Sequence, residues 1–124
     1  MKKISLLFLV SLSLFGEDFI SDFEYGQMLY RDSRGVSCVP CHGEVGEGKL
    51  IVSYYKDANK TDENHTISIY GPDIRHATLA QISSSLKEGK GVMPKYFLTD
   101  KEIEMIYAYL KEVNSEHNES KPDV

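Results

Sequence analysis

A small all-α domain, three to four short helices gathered around one pentapeptide, is what this chain of 124 residues predicts. Three observations carry that expectation. Ser21 with Glu24, Thr78 with Gln81 and Thr99 with Glu102 repeat the spacing in which a hydroxyl and a side chain three residues on cap each other's backbone N–H at a helix start. Behind each of these pairs the apolar residues recur at three- and four-residue steps, the period of a helix with one buried face. Cys38-Val39-Pro40-Cys41-His42 then places two thiols three positions apart with an imidazole directly after the second.

The first sixteen residues stand outside this domain. Lys2 and Lys3 precede an apolar run over 4–15 and a small residue, Gly16, which together have the form of a cleavable signal peptide over 1–16. Twelve apolar residues are too few to span a bilayer comfortably, although Leu14 stands where a small residue is expected and leaves an uncleaved anchor as the alternative. Loss of Lys2 and Lys3 with the leader takes the formal charge from −5 to −7. So acidic a chain argues against nucleic acid and for partners with basic docking patches.

The mature part divides into a domain over 17–113 and a polar tail over 114–124. Phe19, Phe23, Gly26 and Tyr30 predict a first helix over 18–30. Gly26 costs about 1 kcal/mol relative to Ala inside it, so a close approach by another helix is the reason for a glycine there. Residues 31–37 form a loop that delivers the chain to Cys38. Gly43, Gly46 and Gly48 follow the pentapeptide and break any helix. The runs 50–55 and 67–70, rich in β-branched and aromatic residues, fit a short hairpin, and an Ω-like loop fits them nearly as well. After the turn Gly71-Pro72-Asp73, a second helix is expected over 79–88, stopped by Gly89. A loop over 89–94 leads to the last helix, which opens at Thr99 and carries Ile103, Ile106, Tyr107, Leu110 and Val113 on one face.

C-x-x-C-H is the pattern of covalent c-type haem attachment. The spacing has a chemical reason: the thiols of Cys38 and Cys41 add across the two vinyl groups of one porphyrin edge, while His42 reaches the iron. A redox dithiol would instead need a preceding strand in a βαβ unit, and a structural zinc site four ligands. Only two Cys are present, and His65, His76 and His117 are scattered without ligand spacing. As thioethers, Cys38 and Cys41 would form no disulfide. Iron held by His42 has a second axial position, for which Met28, Met93, Met105 and the other three His are candidates. Met28 and Met105 fall in helices beside apolar stripes, where Met is a core filler. Met93 sits in a Gly-flanked loop with its backbone direction set by Pro94. Both positions filled means electron transfer; a displaceable Met93 would instead give a haem-based sensor or small-ligand-binding domain.

Taken together, Cys38-Val39-Pro40-Cys41-His42-Gly43, Gly71-Pro72, Met93-Pro94, Leu98-Thr99-Asp100 and Tyr107 to Leu110 resemble the class I monohaem cytochromes c, near the small bacterial c553 and cbb3-associated type. The resemblance implies the cytochrome c fold around one covalent haem c per chain. It implies that Pro72 lends its carbonyl to the His42 ring, and that Gly26 and Tyr30 pack against Tyr107 and Leu110. The implied role is not enzymatic: a periplasmic, monomeric carrier, not inserted in the membrane after cleavage, shuttling single electrons between respiratory complexes. Its donor would be a quinol-oxidising complex or dehydrogenase, and its acceptor an oxidase or peroxidase.

Two features depart from that family. The connection from Tyr30 to Cys38 is long, and 44–70 has the look of an insertion. Of the four Asn, three (Asn59, Asn64 and Asn118) stand in an acid-x-Asn-x-hydroxyl frame similar to the acceptor of bacterial periplasmic oligosaccharyltransferases. Polar loops enrich the same residue types, so composition is the competing explanation.

Overall fold

The chain runs in the order α1 (Asp22–Arg31), α2 (Val39–His42), β1 (Lys49–Tyr55), β2 (Thr66–Gly71), α3 (Leu79–Glu88) and α4 (Asp100–Glu119). The computed structural model describes residues 19–32, 36–57, 59 and 65–119; the expected leader, Asn64 and residues 120–124 lie outside them. All three capping pairs form. The N–H groups of Ser21, Thr78 and Thr99 donate to Glu24, Gln81 and Glu102 at 2.9, 2.9 and 2.8 Å, and each hydroxyl accepts the return bond at 3.2 Å. Helix α1 starts at Asp22 rather than at residue 18. Ser21, as its cap, is extended (φ −69°, ψ 159°), so the chain before it leaves the helix axis and Phe19 stands fully exposed.

The expectation of an all-α chain is too narrow. Strands β1 and β2 pair antiparallel from Lys49 opposite Gly71 to Tyr55 opposite Thr66, with an irregularity between Leu50 and Val52. Ser53 and Ser68 hydroxyls meet at 2.7 Å across the ladder. Of the two readings open for 50–55 and 67–70, the hairpin is the one realised, since β-branched and aromatic side chains suit a half-exposed pleated surface.

Helices α1 and α4 cross at Gly26. A Cβ there would stand 2.7 Å from the Met105 carbonyl carbon and 3.2 Å from Tyr109 Cβ, so only hydrogen lets the two backbones approach this closely. The crossing partner is therefore Tyr109, where Tyr107 was expected. Two residues along a helix turn the side chain by about 200°, so Tyr107 does not meet Gly26 and is only partly buried against the core. Its ring lies 5.1 Å from the Lys111 ammonium. Tyr109 joins Phe23 and Tyr30, each at a ring-centroid distance of 5.4 Å. With Ile82, Leu86, Ile103, Ile106 and Leu110, Tyr30 and Tyr109 form the buried core. Each such side chain contributes roughly 1.5–3 kcal/mol by leaving water.

Helix α4 continues six residues past Val113, so the expected polar tail begins as helix. Asn114 explains part of this: its side-chain amide donates to the carbonyls of Val45 and Leu110 at 2.8 and 2.7 Å, hooking the last turns of α4 onto the segment after His42. Among the described residues, no helix is long and apolar enough to cross a membrane.

Candidate haem-attachment site

The pentapeptide is a single helical turn. Cys38 caps α2, and its carbonyl accepts from Cys41 N at 3.2 Å and His42 N at 2.8 Å. Positions three and four apart on a helix share a face, so this turn gathers both thiols and the imidazole on one side. Gly43 ends the turn with φ +83°, a conformation that favours glycine, and donates to Val39 O at 2.9 Å. Beyond it the Glu47 carboxylate accepts from the N–H groups of Val45 (2.9 Å) and Glu44 (3.2 Å). Burial alone would raise its pKa, yet these backbone bonds and the Arg75 charge hold it below the usual carboxylate value.

Tyr30 holds both ends of the turn, a role that sequence reasoning missed. Its carbonyl accepts from Cys38 N at 2.8 Å, and its hydroxyl donates to Gly43 O at 2.7 Å from a fully buried position. Burial, then the nearby Cys38 thiol, pushes the phenol well above its ordinary pKa, so it remains a donor. Tyr30→Phe should cost about 1–3 kcal/mol, because a buried carbonyl is left without its partner. Urea unfolding of wild type and variant measures the loss, and equal stability would remove Tyr30 from this role. In the sequence only an aromatic eight residues before the first Cys pointed this way.

His42 is 8% exposed, and its Nδ1 lies 2.9 Å from the Pro72 carbonyl. A carbonyl can only accept, so the ring proton belongs on Nδ1 and the free lone pair on Nε2. An imidazole oriented in this way, with one tautomer favoured, is suited to binding a metal through Nε2. Asp73 follows, gripped by Arg75 through its guanidinium (2.6–3.1 Å) and its N–H (3.0 Å), which brings the carboxyl down to about 2. Because the folded pKa lies below the unfolded one, this pair's stabilisation is present above about pH 4 and is lost as pH falls through 2. The Tm advantage of wild type over Asp73→Asn should therefore shrink between pH 5 and pH 2. Melting curves across that range check this; a constant difference would refute it.

Met93 lies in the loop between α3 and α4. It exchanges backbone bonds with Lys90 (2.9 and 3.1 Å), and Tyr96 N donates to Leu86 O at 2.8 Å, pinning the loop to the end of α3. Met93, Tyr96 and Cys38 pack against the same core. Tyr96 has a raised pKa, from burial first and then from the Cys38 and Cys41 thiols. The other ligand candidates stand elsewhere. Met28 is partly exposed on α1, Met105 faces Gly26 with its backbone, His76 is exposed, and His65 lies at the far end of the hairpin. The side chain of His117 is outside the described residues.

This donor set fits a haem. Two free thiols share one face of a turn, an imidazole beside them offers Nε2, and a partly buried thioether packs against the same core as Cys38. It does not fit a dithiol oxidoreductase, whose attacking thiol needs a lowered pKa. Burial, with the Cys41 thiol adding to it, pushes Cys38 up to about 12.

The family model described as cytochrome c oxidase, cbb3-type, subunit III matches residues 21–110. No curated protein and no solved structure matches the chain.

Proposed function

We propose, from the premise that this chain belongs to the monohaem c-type cytochromes of the cbb3-associated kind, that it is a periplasmic one-electron carrier whose haem iron is ligated by His42 and Met93. Covalently bound haem c follows from membership of the family, and the haem supplies the one-electron chemistry. The observation that carries the ligation is the 2.9 Å contact between His42 Nδ1 and Pro72 O, which leaves Nε2 as the metal-binding nitrogen. Tyr30 and Gly43 hold the turn that presents it, while the backbone bonds of Lys90 with Met93 and of Tyr96 with Leu86 hold the loop that carries Met93. A soft thioether favours Fe(II), so a His/Met pair raises the reduction potential above that of a bis-His site.

Family membership also implies redox partners in respiratory electron transfer. The description of the matching family as an oxidase subunit supports an oxidase as acceptor; a peroxidase in its place, and a quinol-oxidising complex or dehydrogenase as donor, belong to the proposal alone. Docking would be brief and small, as electron-transfer encounters are. The net negative charge favours a basic surface on the partner. Export by the leader over 1–16 would place the carrier in the periplasm, and a monomer suffices for shuttling. Asn59 is exposed beyond the end of β1, as a glycan acceptor must be. Intact mass of the native protein reads its occupancy, and a bare mass would end that part of the proposal.

Absorption spectra of protein from a host competent in cytochrome c maturation test the whole. Expected are c-type bands in the reduced form, retained in denaturant because the haem is covalent, and slow binding of carbon monoxide. Absence of the bands would overturn the assignment. Rapid carbon monoxide binding by the wild type would replace the carrier with a ligand sensor.

A further inference from the structure

We propose that the β1–β2 hairpin is a strap that holds the Pro72 carbonyl on the His42 ring, and so tunes the electron donation of that ligand. The inference rests on the reading of His42 as an iron ligand. It concerns the stretch between His42 and Pro72, for which the family pattern supplies no role.

The imidazole and the carbonyl that orients it are joined by 43–71, a connection long enough to leave their contact to chance if it were unstructured. The hairpin removes that freedom at its base. Lys49 pairs with Gly71, the residue next to Pro72. Just before Lys49, Gly48 N donates to the His42 carbonyl at 2.7 Å. Both ends of the hairpin are therefore tied to the same residue, one at the backbone of His42 and one, through Pro72, at its ring.

The approach of the second strand to α2 is equally close. Gly71 is buried, and a Cβ on it would land on the Cys41 carbonyl, so the strand lies directly against the attachment turn. Its φ lies outside the left-handed region, which means that alanine is conformationally acceptable there and would act only through that collision. On Gly48, likewise, a Cβ would stand 2.8 Å from Gly71 O and 3.1 Å from Asp73 N. By contrast, the hairpin contributes no side chain to the buried core or to the shell packed on it, and Leu50, Val52, Tyr54, Tyr55 and Tyr70 are all exposed. A segment that adds nothing to the core yet is stitched at its base to the ligand and to the ligand's acceptor is placed to position, not to stabilise, the fold.

A hydrogen bond from Nδ1–H to a carbonyl makes the ring a stronger donor to metal and favours Fe(III); loosening it raises the potential. The test uses full-length, haem-loaded protein with residues 50–70 replaced by a Gly/Ser linker of equal length, beside Gly71→Ala and a control, Tyr55→Ser. Exchange of the His42 Nδ1 proton with solvent, followed by NMR, and the reduction potential are read in each. The linker protein and Gly71→Ala should keep their helical signal and c-type bands. In both, the ring proton should exchange at least about tenfold faster. The potential should rise in both, a tenfold change in the Fe(II)/Fe(III) equilibrium corresponding to about 59 mV. Tyr55→Ser should match the wild type. Native exchange and potential in the linker protein would overturn the proposal. If the linker protein fails to fold, the same native values in Gly71→Ala would overturn it. Absence of haem from the wild type would instead defeat the reading of His42 as a ligand, an outcome that the reduced spectrum reveals separately.

Discussion

Met93→Ala should convert the protein from a carrier into a ligand-binding haem protein. With His42 and Met93 as the proposed ligands, removing the thioether leaves one coordination position of the iron open, and the reduced form should then bind carbon monoxide rapidly where the wild type does not. The potential should fall, since the soft sulfur that favoured Fe(II) is gone; each tenfold loss of that preference lowers it by about 59 mV. The fold should survive, because Met93 is only partly buried and its loop is held by backbone bonds of Lys90 and Tyr96 that the substitution leaves intact. Stopped-flow mixing with carbon monoxide and a potentiometric titration measure the two effects. A variant with the wild-type spectrum and no rapid binding would show that another group ligates the iron, and His65 and Met28 would then be tested in turn.

Gly26→Ala should cost a large share of the stability for so small a change. The added methyl would meet the Met105 carbonyl group and Tyr109 Cβ, and backbone cannot swing aside as a flexible side chain can. Overpacking of this kind costs about 1–3 kcal/mol, and a backbone contact belongs at the upper end. Alanine's better helix propensity returns at most about 1 kcal/mol. A net loss of about 2 kcal/mol corresponds to a Tm lower by about 8–16 °C for a domain of this size. Circular dichroism melting of the haem-loaded protein gives the number. An unchanged Tm would mean that α1 and α4 separate without penalty, contrary to the packing of Phe23, Tyr30 and Tyr109 on one another.

Much of this site was readable before any coordinates. Helix α3 lies where its capping pair and Gly89 placed it, since both of its boundaries are set by neighbouring residues. The Pro72 carbonyl stands on His42, as the resemblance implied. The helix crossing was legible through Gly26, but its partner was not. Tyr107 and Tyr109 are both aromatic in an apolar stretch, and choosing between them needs the rotation of α4 about its own axis, which contacts with α1 decide. The double hold of Tyr30 on Cys38 and Gly43 was equally hidden. No local pattern announces a bond between a hydroxyl and a carbonyl thirteen residues on.

By itself the sequence determined what depends on spacing and on residue chemistry: thiols and imidazole on one turn, boxed helix starts, a thioether in a proline-bounded loop, an acidic chain. Tertiary structure alone decided that the stretch after His42 pairs as a hairpin, that its base lies against Cys41, and that Asn114 extends the last helix onto Val45. The division has one cause. Capping and helical periodicity act over a few residues, whereas a half-exposed strand gains its free energy from a partner strand and from the surface beneath it, neither of which is present until the chain has folded.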